Sequence, residues 1–372
     1  MVNFKYRIEA TVLTPLSIGQ GSEKDWVKGL DYVVKDNFLY HLDLKKMVEA
    51  GVDMERVSSL FSLGRANEVY NLIGENRVKS VSDIVMKMPV SETANPIKTF
   101  LKNELTGRPI LAGSSLKGSI RSALFNYLRD DERDNMAVFG NMRDGTDFMR
   151  FIRIGDMEFP KTQLYNSVIF NLLGDGEDWH GGWKHSLHET NSRFRSVGFN
   201  TVYECLSPDA ASTGGALMMS RLLFDRITNN QPHYDKKKFI LCAEAPNESL
   251  CDIINDYTYN YLLKEYDFFE KYQDAENVNV IMNNITKLTD CINDCEPNEC
   301  VIKMSAGAGF HSITGDWQYT KDYYDEPDFY TSGINEGKRK YKSRKIVQYR
   351  NNENKDMLSL MGFIKLKISE SK

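Results

Sequence analysis

"RPILAGSSLKGSIRSALFNYL", residues 108–128, sets an apolar strand end and a glycine-serine turn against a helical run. From Leu116 the apolar positions recur at Ile120, Ala123, Leu124, Tyr127 and Leu128, the spacing of a helix with one buried face. Ser114 or Ser115 is the expected N-cap, since a serine hydroxyl accepts from an otherwise orphan first-turn amide. A strand, a Gly-Ser turn and a helix start point several free amides one way, with the positive end of the helix dipole behind them. Lys117 and Arg121 stand one turn apart and project from the same exposed side. The arrangement suits a phosphate. On local grounds an ordinary strand-to-helix turn with a solvated Lys/Arg face fits equally well. Lys117 follows Leu116 rather than a glycine, and no dinucleotide fingerprint occurs, so neither nucleotide-enzyme signature is met at this loop.

The rest of the chain is a soluble mixture of strands and helices. Its 372 residues suffice for two domains, and 41% hydrophobic with 27% charged residues is a globular balance. "MVNFKYRIEA" carries no apolar signal region and no run reaches membrane-span length, so a cytoplasmic protein with no membrane association is expected. A net charge of −5 argues against an all-round basic nucleic-acid binder but leaves room for a local basic track or a place in a larger assembly. Among six cysteines, Cys291, Cys295 and Cys300 cluster without a complementary knuckle, so reduced thiols around a loop are expected rather than zinc.

"FKYRIEATVLTPL" alternates as a half-buried strand, and "DYVVKDNFLYHLD" reads as a hairpin turning at Asp36-Asn37. A helix starts after Asp43, and helical character continues to about residue 80. "FMRFIRIGDMEF" is a further strand, and residues 174–190 read as a glycine-rich connector. "TVYECLSP" and "ALMMSRLLFD" read as paired strands, residues 249–290 as helical, and "MGFIKLKI" as a last strand. Strands in hairpins rather than regular βαβ repeats give an α+β class.

Several other stretches carry chemistry-bearing residues. In "SAGAGF", Gly307 and Gly309 permit close approach of a ligand to the backbone, or simply a tight turn. "GKRKYKSRKIVQYR" places seven Lys/Arg between Lys338 and Arg350 with Tyr341 and Tyr349 interleaved. That is the make-up of a single-strand track, with Lys342 and Arg344 as its test positions, or of a solvated charge run. "EDWHGGWKHSLHE" holds His180, His185 and His188, read as a surface loop rather than a metal site, with Trp179 and Trp183 as partner-contact anchors. Asp31 before a strand is expected to be a turn residue.

Three stretches taken together, "LTPLSIGQG", "ILAGSSLKGSIRSALF" and "SAGAGFHSITGDW", resemble the RAMP superfamily of CRISPR proteins. "MRFIRIGD" and "VYECLSP" fit that superfamily's strand patterns. The order of the pieces and the ending "KSRKIVQYR…LMGFIKL" look most like the subunit capping the 3′ end of the guide RNA (crRNA) in type III-A Csm complexes. The likeness runs from about residue 6 to about residue 367.

The resemblance implies two ferredoxin-like, RRM-related domains with inserted loops and helices, at 1–175 and 190–372. It implies a non-catalytic, cofactor-free RNA-binding subunit supporting crRNA 3′ maturation and antiviral defence. Its implied partners are crRNA, target RNA in the assembled complex, Csm backbone and small subunits, and host nucleases that trim the guide's 3′ end. The RNA contacts it suggests are Gly113, Ser114, Ser115, Lys117, Gly118 and Arg121, then Gly307, Gly309, His311 and Ser312, beside Lys342 and Arg344. Two alternatives stay open within the superfamily. One is an endoribonuclease processing crRNA precursor with His41 or His311 as base; the other is a backbone subunit cutting target RNA with Asp31.

Overall fold

The computed structural model describes residues 4–91, 96–130, 132, 134–175, 178–221, 224, 232–304, 343–350 and 355–371. Strand β1 (Phe4–Val12) buries Tyr6, Ile8, Ala10 and Val12 and exposes Lys5, Arg7 and Thr11, the alternation its sequence requires. Strands β2 (Tyr32–Lys35) and β3 (Phe38–Leu42) form the expected hairpin. Asp36 and Asn37 both take left-handed backbone (φ 49° and 66°), as a two-residue turn matched to strand twist demands.

Helices α1 (Leu44–Glu49), α2 (Met54–Ser62), α3 (Val69–Ile73) and α4 (Glu75–Val78) follow, and β4 (Ser82–Lys87) completes a three-stranded sheet, β2-β3-β4. Asp43 starts α1 by accepting from the Lys45 and Lys46 amides. Val33, Leu42, Met47, Val57, Val69 and Ile73 give this unit its own small core.

The middle of the chain supplies β5 (Ile110–Leu111), α5 (Gly113–Leu128), α6 (Asn135–Phe139), β6 (Ile152–Ile154) and β7 (Met157–Glu158). Then come β8 (Gln163–Asp175), β9 (Asp178–Lys184), β10 (Thr190–Asn191), β11 (Thr201–Cys205) and β12 (Gly215–Met219). Helices α7 (Tyr234–Cys242), α8 (Pro246–Glu270) and α9 (Val278–Asn293) precede the closing strands. These are β13 (Glu299–Lys303), β14 (Ser343–Arg350), β15 (Asp356–Leu360) and β16 (Phe363–Glu370).

Two larger sheets result. The first has the order β13-β16-β1-β12-β6, with Ile8 of β1 opposite Ile368 on one side and Gly215 on the other. Its central strand therefore joins the two ends of the chain. The second has the order β10-β9-β8-β14-β15, with β11 also on β8. The pairings between these named strands are antiparallel, so the architecture is mixed α/β with antiparallel sheets.

One helix serves both sheets. The 25 residues of α8 span about 37 Å at 1.5 Å per residue. Its first half packs Leu250, Cys251 and Ile254 into the first core with Leu116, Ile120 and Leu124 of α5. Its second half packs Leu262, Phe268 and Phe269 into the second core with Phe170, Trp183 and Ile346. Each such side chain fully withdrawn from water contributes about 1.5–3 kcal/mol, so the helix ties the sheets into one cooperative body.

Three sequence expectations need correction. Residues 174–190 are not a connector: β8 and β9 pair across Phe170–Asp175, because alternating apolar residues flank the glycines. The segments 201–205 and 215–219 do not pair with each other; β11 joins β8 while β12 joins β1 and β6. Tyr127 is 37% exposed, and Phe125 fills the buried face of α5 instead. Among the described residues no helix is long and apolar enough to cross a membrane.

Candidate nucleic-acid interface

The strand-turn-helix unit forms as its sequence suggests, but its helix start is already occupied. The α5 N-cap is Ala112, not Ser114 or Ser115, and no side chain of its own caps it. The Gly113 amide donates to the Asp156 carboxylate at 2.8 Å, and the Ser115 and Leu116 amides donate to the Ala112 carbonyl. Asp156 thus already supplies the anion that the helix dipole favours. Gly113 itself answers to packing: a Cβ there would lie 2.2 Å from the Ile154 carbonyl oxygen.

The open feature lies one turn further along. A cavity of about 630 Å³ runs beside α5, walled by Ser114, Lys117, Gly118 and Arg121 on one side. Opposite stands the loop 142–150, with Arg143, Asp144, Gly145, Asp147 and Arg150. Four cations face two carboxylates there. Gly118 stands in the wall with nothing within 4 Å of where a Cβ would be. A glycine inside a helix costs about 1 kcal/mol relative to alanine, and no protein neighbour here requires it.

The cations differ in how far they are committed. Arg121 Nη1 sits 3.2 Å from the Asp147 carboxylate, and its guanidinium lies 3.9 Å over the Phe139 ring. Arg150 donates to the Gly145 carbonyl, which holds the loop in its turn. Lys117 and Arg143 have no ion-pair partner among the described residues. Burial pulls the Lys117 amine below its ordinary value; Asp147 opposes the shift, and Arg121 and Arg153 add to it. A phosphate at this wall would meet cations that repel one another without it.

Arg143, Asp147 and Arg150 were not singled out from the sequence, although the Asp144-Gly145 dipeptide in "NMRDGTD" is a turn signal. Of the other expected contacts, Gly307, Gly309, His311, Ser312 and Lys342 lie outside the described residues. Arg344 is corrected: it points into the protein, its side chain 5% exposed, with Nε 2.7 Å from Glu265. Arg344 and Ile346 lie on the face of β14 that packs into the second core, against Glu265 and Phe268 of α8. Lys345 bonds the Tyr203 hydroxyl at 2.9 Å and Arg350 pairs with Asp356, so the described part of the basic run is committed internally.

The remaining candidates make the following contacts. Asp31 accepts the Val27 amide at 2.7 Å, closing a turn. His41 lies 2.6 Å from Asp83 and packs on Trp26 at 4.4 Å. His185 is held by the Arg193 carbonyl and Asn191, and no group of three metal-ligating side chains occurs among the described residues. Trp183 is corrected from partner anchor to core: it is 1% exposed and donates to the Glu276 carbonyl at 2.8 Å. Cys291, Cys295 and Cys300 are free thiols, and burial pushes the Cys295 thiol up to about 11.

A family model of the RAMP superfamily matches residues 9–283. The "CRISPR system Cms protein Csm5" of Methanocaldococcus jannaschii is 32% identical over 130 residues, 32% of this chain and 30% of that protein. The match therefore spans under a third of the relative's length. A chain of the cryo-EM structure of a Csm–crRNA–target RNA ternary complex from a type III-A CRISPR–Cas system is similar at TM-score 0.67 and 16% identity. That alignment covers 97% of this chain and 100% of the other. The crystal structure of T. onnurineus Csm5 aligns at TM-score 0.57 and 16% identity, covering 96% and 99%. At such identities these likenesses carry the fold.

Proposed function

The chain belongs to the RAMP superfamily, and on that premise we propose that it is a non-catalytic RNA-binding subunit of a type III-A CRISPR–Cas (Csm) effector. It closes the complex at the 3′ end of the crRNA and supports 3′ maturation and antiviral defence. Its partners are crRNA, target RNA in the assembled complex, Csm backbone and small subunits, and the host nucleases that trim the guide; its place is the cytoplasm. No cofactor takes part.

The observation that carries the RNA reading is Gly118, a helix-interior glycine facing open space in a cationic wall with Lys117. Ser114 and Arg121 stand in the same wall, and Gly113 and Ser115 enter the proposal as the first turn of that helix. Backbone approach to a phosphodiester is what that glycine permits, and the phosphate charge is what Lys117 and Arg143 lack. Gly307, Gly309, His311, Ser312 and Lys342 belong to the same proposal as a second contact.

Two ferredoxin-like domains, nominally 1–175 and 190–372, are also part of the reading. Two antiparallel sheets packed on α8 support two units, although each sheet draws strands from both sides of the nominal boundary, β1 pairing with β12 and β16 and β8 with β11 and β14.

The test is photo-crosslinking of the chain within its co-purified complex, with peptides mapped by mass spectrometry. Crosslinks from the guide's 3′ half to residues 113–121 are expected. Crosslinks confined to the 5′ repeat-derived tag would move the subunit to the opposite end and overturn the reading.

A further inference from the structure

Helix α7 buries a lysine for which the fold supplies no partner. Lys237 is 0% exposed, and its Nζ lies 5.8 Å from the centre of the Phe148 ring. Among the described residues that amine makes neither a hydrogen bond nor an ion pair. An ammonium taken from water without compensation is among the costliest groups a core can hold. A methionine would fill the same space without that cost. Burial pulls the amine down to about 8, and the charge opposing that pull is Asp147, next in the chain to Phe148.

Asp147 is 7% exposed and already has a cation. One carboxylate oxygen accepts the Met149 amide at 2.9 Å, and the other accepts from Arg121 at 3.2 Å. Arg121 and Asp147 both line the cavity beside α5, whereas Lys237 does not. Lys236, the neighbour of Lys237, bonds the Tyr127 carbonyl in the last turn of α5 and Asp130 just beyond it. Helix α7 therefore lies against the helix that carries Arg121. Asp147 acts on two cations of the cavity wall, Arg121 and Lys117, and on one shut inside the protein.

A phosphate in the cavity competes with Asp147 for Arg121. If the guanidinium turns to the phosphate, the carboxylate loses its cation in a place almost closed to water, and that loss works against binding. A second cation in reserve removes the loss. An amine with no bond to give up suits that reserve, because its transfer to Asp147 breaks nothing.

We propose that Lys237 is the reserve partner of Asp147: as a phosphate of bound RNA draws Arg121 into the cavity, Lys237 takes over the carboxylate. The inference rests on the RNA reading of this wall. Lys237 itself touches no RNA; it is a positioning residue that acts through Asp147 and Arg121.

The test joins unfolding to RNA binding in the full chain. Without RNA, Arg121→Ala is expected to lower the urea midpoint far more in a Lys237→Met protein than in the wild type, since only there does Asp147 lose both partners. With a single-stranded guide RNA titrated across a salt series, Lys237→Met should weaken binding and flatten the slope of log K against log salt by about 0.7, one phosphate contact. Arg121→Ala should do the same, and the double variant should do no more. Lys237→Leu, also uncharged, repeats the measurement with different packing. In an Asp147→Asn protein, which has no carboxylate to hand over, Lys237→Met should leave binding unchanged.

Equal midpoint losses in the two backgrounds would overturn the inference. So would a Lys237→Met protein of wild-type slope, the result expected if Arg121 serves phosphate and Asp147 at once. A loss that persists in Asp147→Asn, the result expected of packing alone, would overturn it too. RNA binding that answers to Lys117→Ala but not to Lys237→Met removes the inference and leaves the RNA reading standing; binding that answers to neither sinks both.

Discussion

The Arg344 guanidinium meets the Glu265 carboxylate at 2.7 Å inside the second core, stacked 4.0 Å over the Phe268 ring. A run that reads as a basic RNA track thus delivers one of its cations to a buried ion pair. Removing one partner leaves the other charge buried and uncompensated, at a cost of about 3–5 kcal/mol. Arg344→Ala is therefore expected to lower the urea midpoint sharply. Glu265→Leu combined with Arg344→Met should recover much of the loss. An Arg344→Ala protein of unchanged midpoint and reduced RNA affinity would return this residue to the RNA surface.

Lys303 gives the fold a pH-dependence in the alkaline range. It is buried among Tyr261 and Phe363, donates to the Met361 carbonyl, and burial pulls its amine down to about 7 despite Glu265. Its folded pKa lies below its unfolded value, so between about pH 7 and 10 the unfolded chain holds the extra proton. Unfolding free energy contributed by this group then rises with pH, by at most about 1.4 kcal/mol per pH unit. Urea melts from pH 7 to 10 should show wild type gaining stability relative to Lys303→Met. Parallel curves would mean that the amine keeps its proton in the fold.

What was legible in the sequence divides along physical lines. Strand β1, the Asp36-Asn37 turn and the Asp43 cap are written locally, through period-two burial, two residues that tolerate left-handed backbone, and one carboxylate. The superfamily was legible from three glycine-bearing stretches. The partners of β11 and β12 were not, because pairing is chosen by residues far away in sequence, Gln163 and Phe4 among them. Trp183 and Arg344 misled for a related reason: composition names a side chain's chemistry but not which way a strand turns it. The cavity beside α5 was half legible. Lys117 and Arg121 stood out by helical spacing, whereas Arg143 reaches the same cavity from its opposite side only through the tertiary fold.

The salt dependence of guide binding separates phosphate-binding cations from structural ones. Lys117 is uncommitted, whereas Arg121 is already paired with Asp147. On single-stranded nucleic acid, each cation that neutralises a phosphate steepens the slope of log K against log salt by about 0.7. Lys117→Ala and Arg143→Ala are each expected to flatten it by about that amount, with no shift in thermal midpoint. A weakened affinity with the slope intact would place these residues away from the phosphates.

Gly113 and Gly118, five residues apart on one helix, should respond in opposite ways to the same substitution. A methyl at Gly113 would press on the Ile154 carbonyl oxygen at 2.2 Å, so Gly113→Ala must displace backbone and lower the melting temperature. A methyl at Gly118 meets nothing within 4 Å, so Gly118→Ala should gain about 1 kcal/mol of helix stability. If RNA backbone occupies that open space, the more stable protein binds guide more weakly. Stability up with affinity down is the signature of a glycine kept for its ligand. Stability up with affinity unchanged would make Gly118 an incidental surface glycine and remove the observation on which the RNA reading of this wall stands.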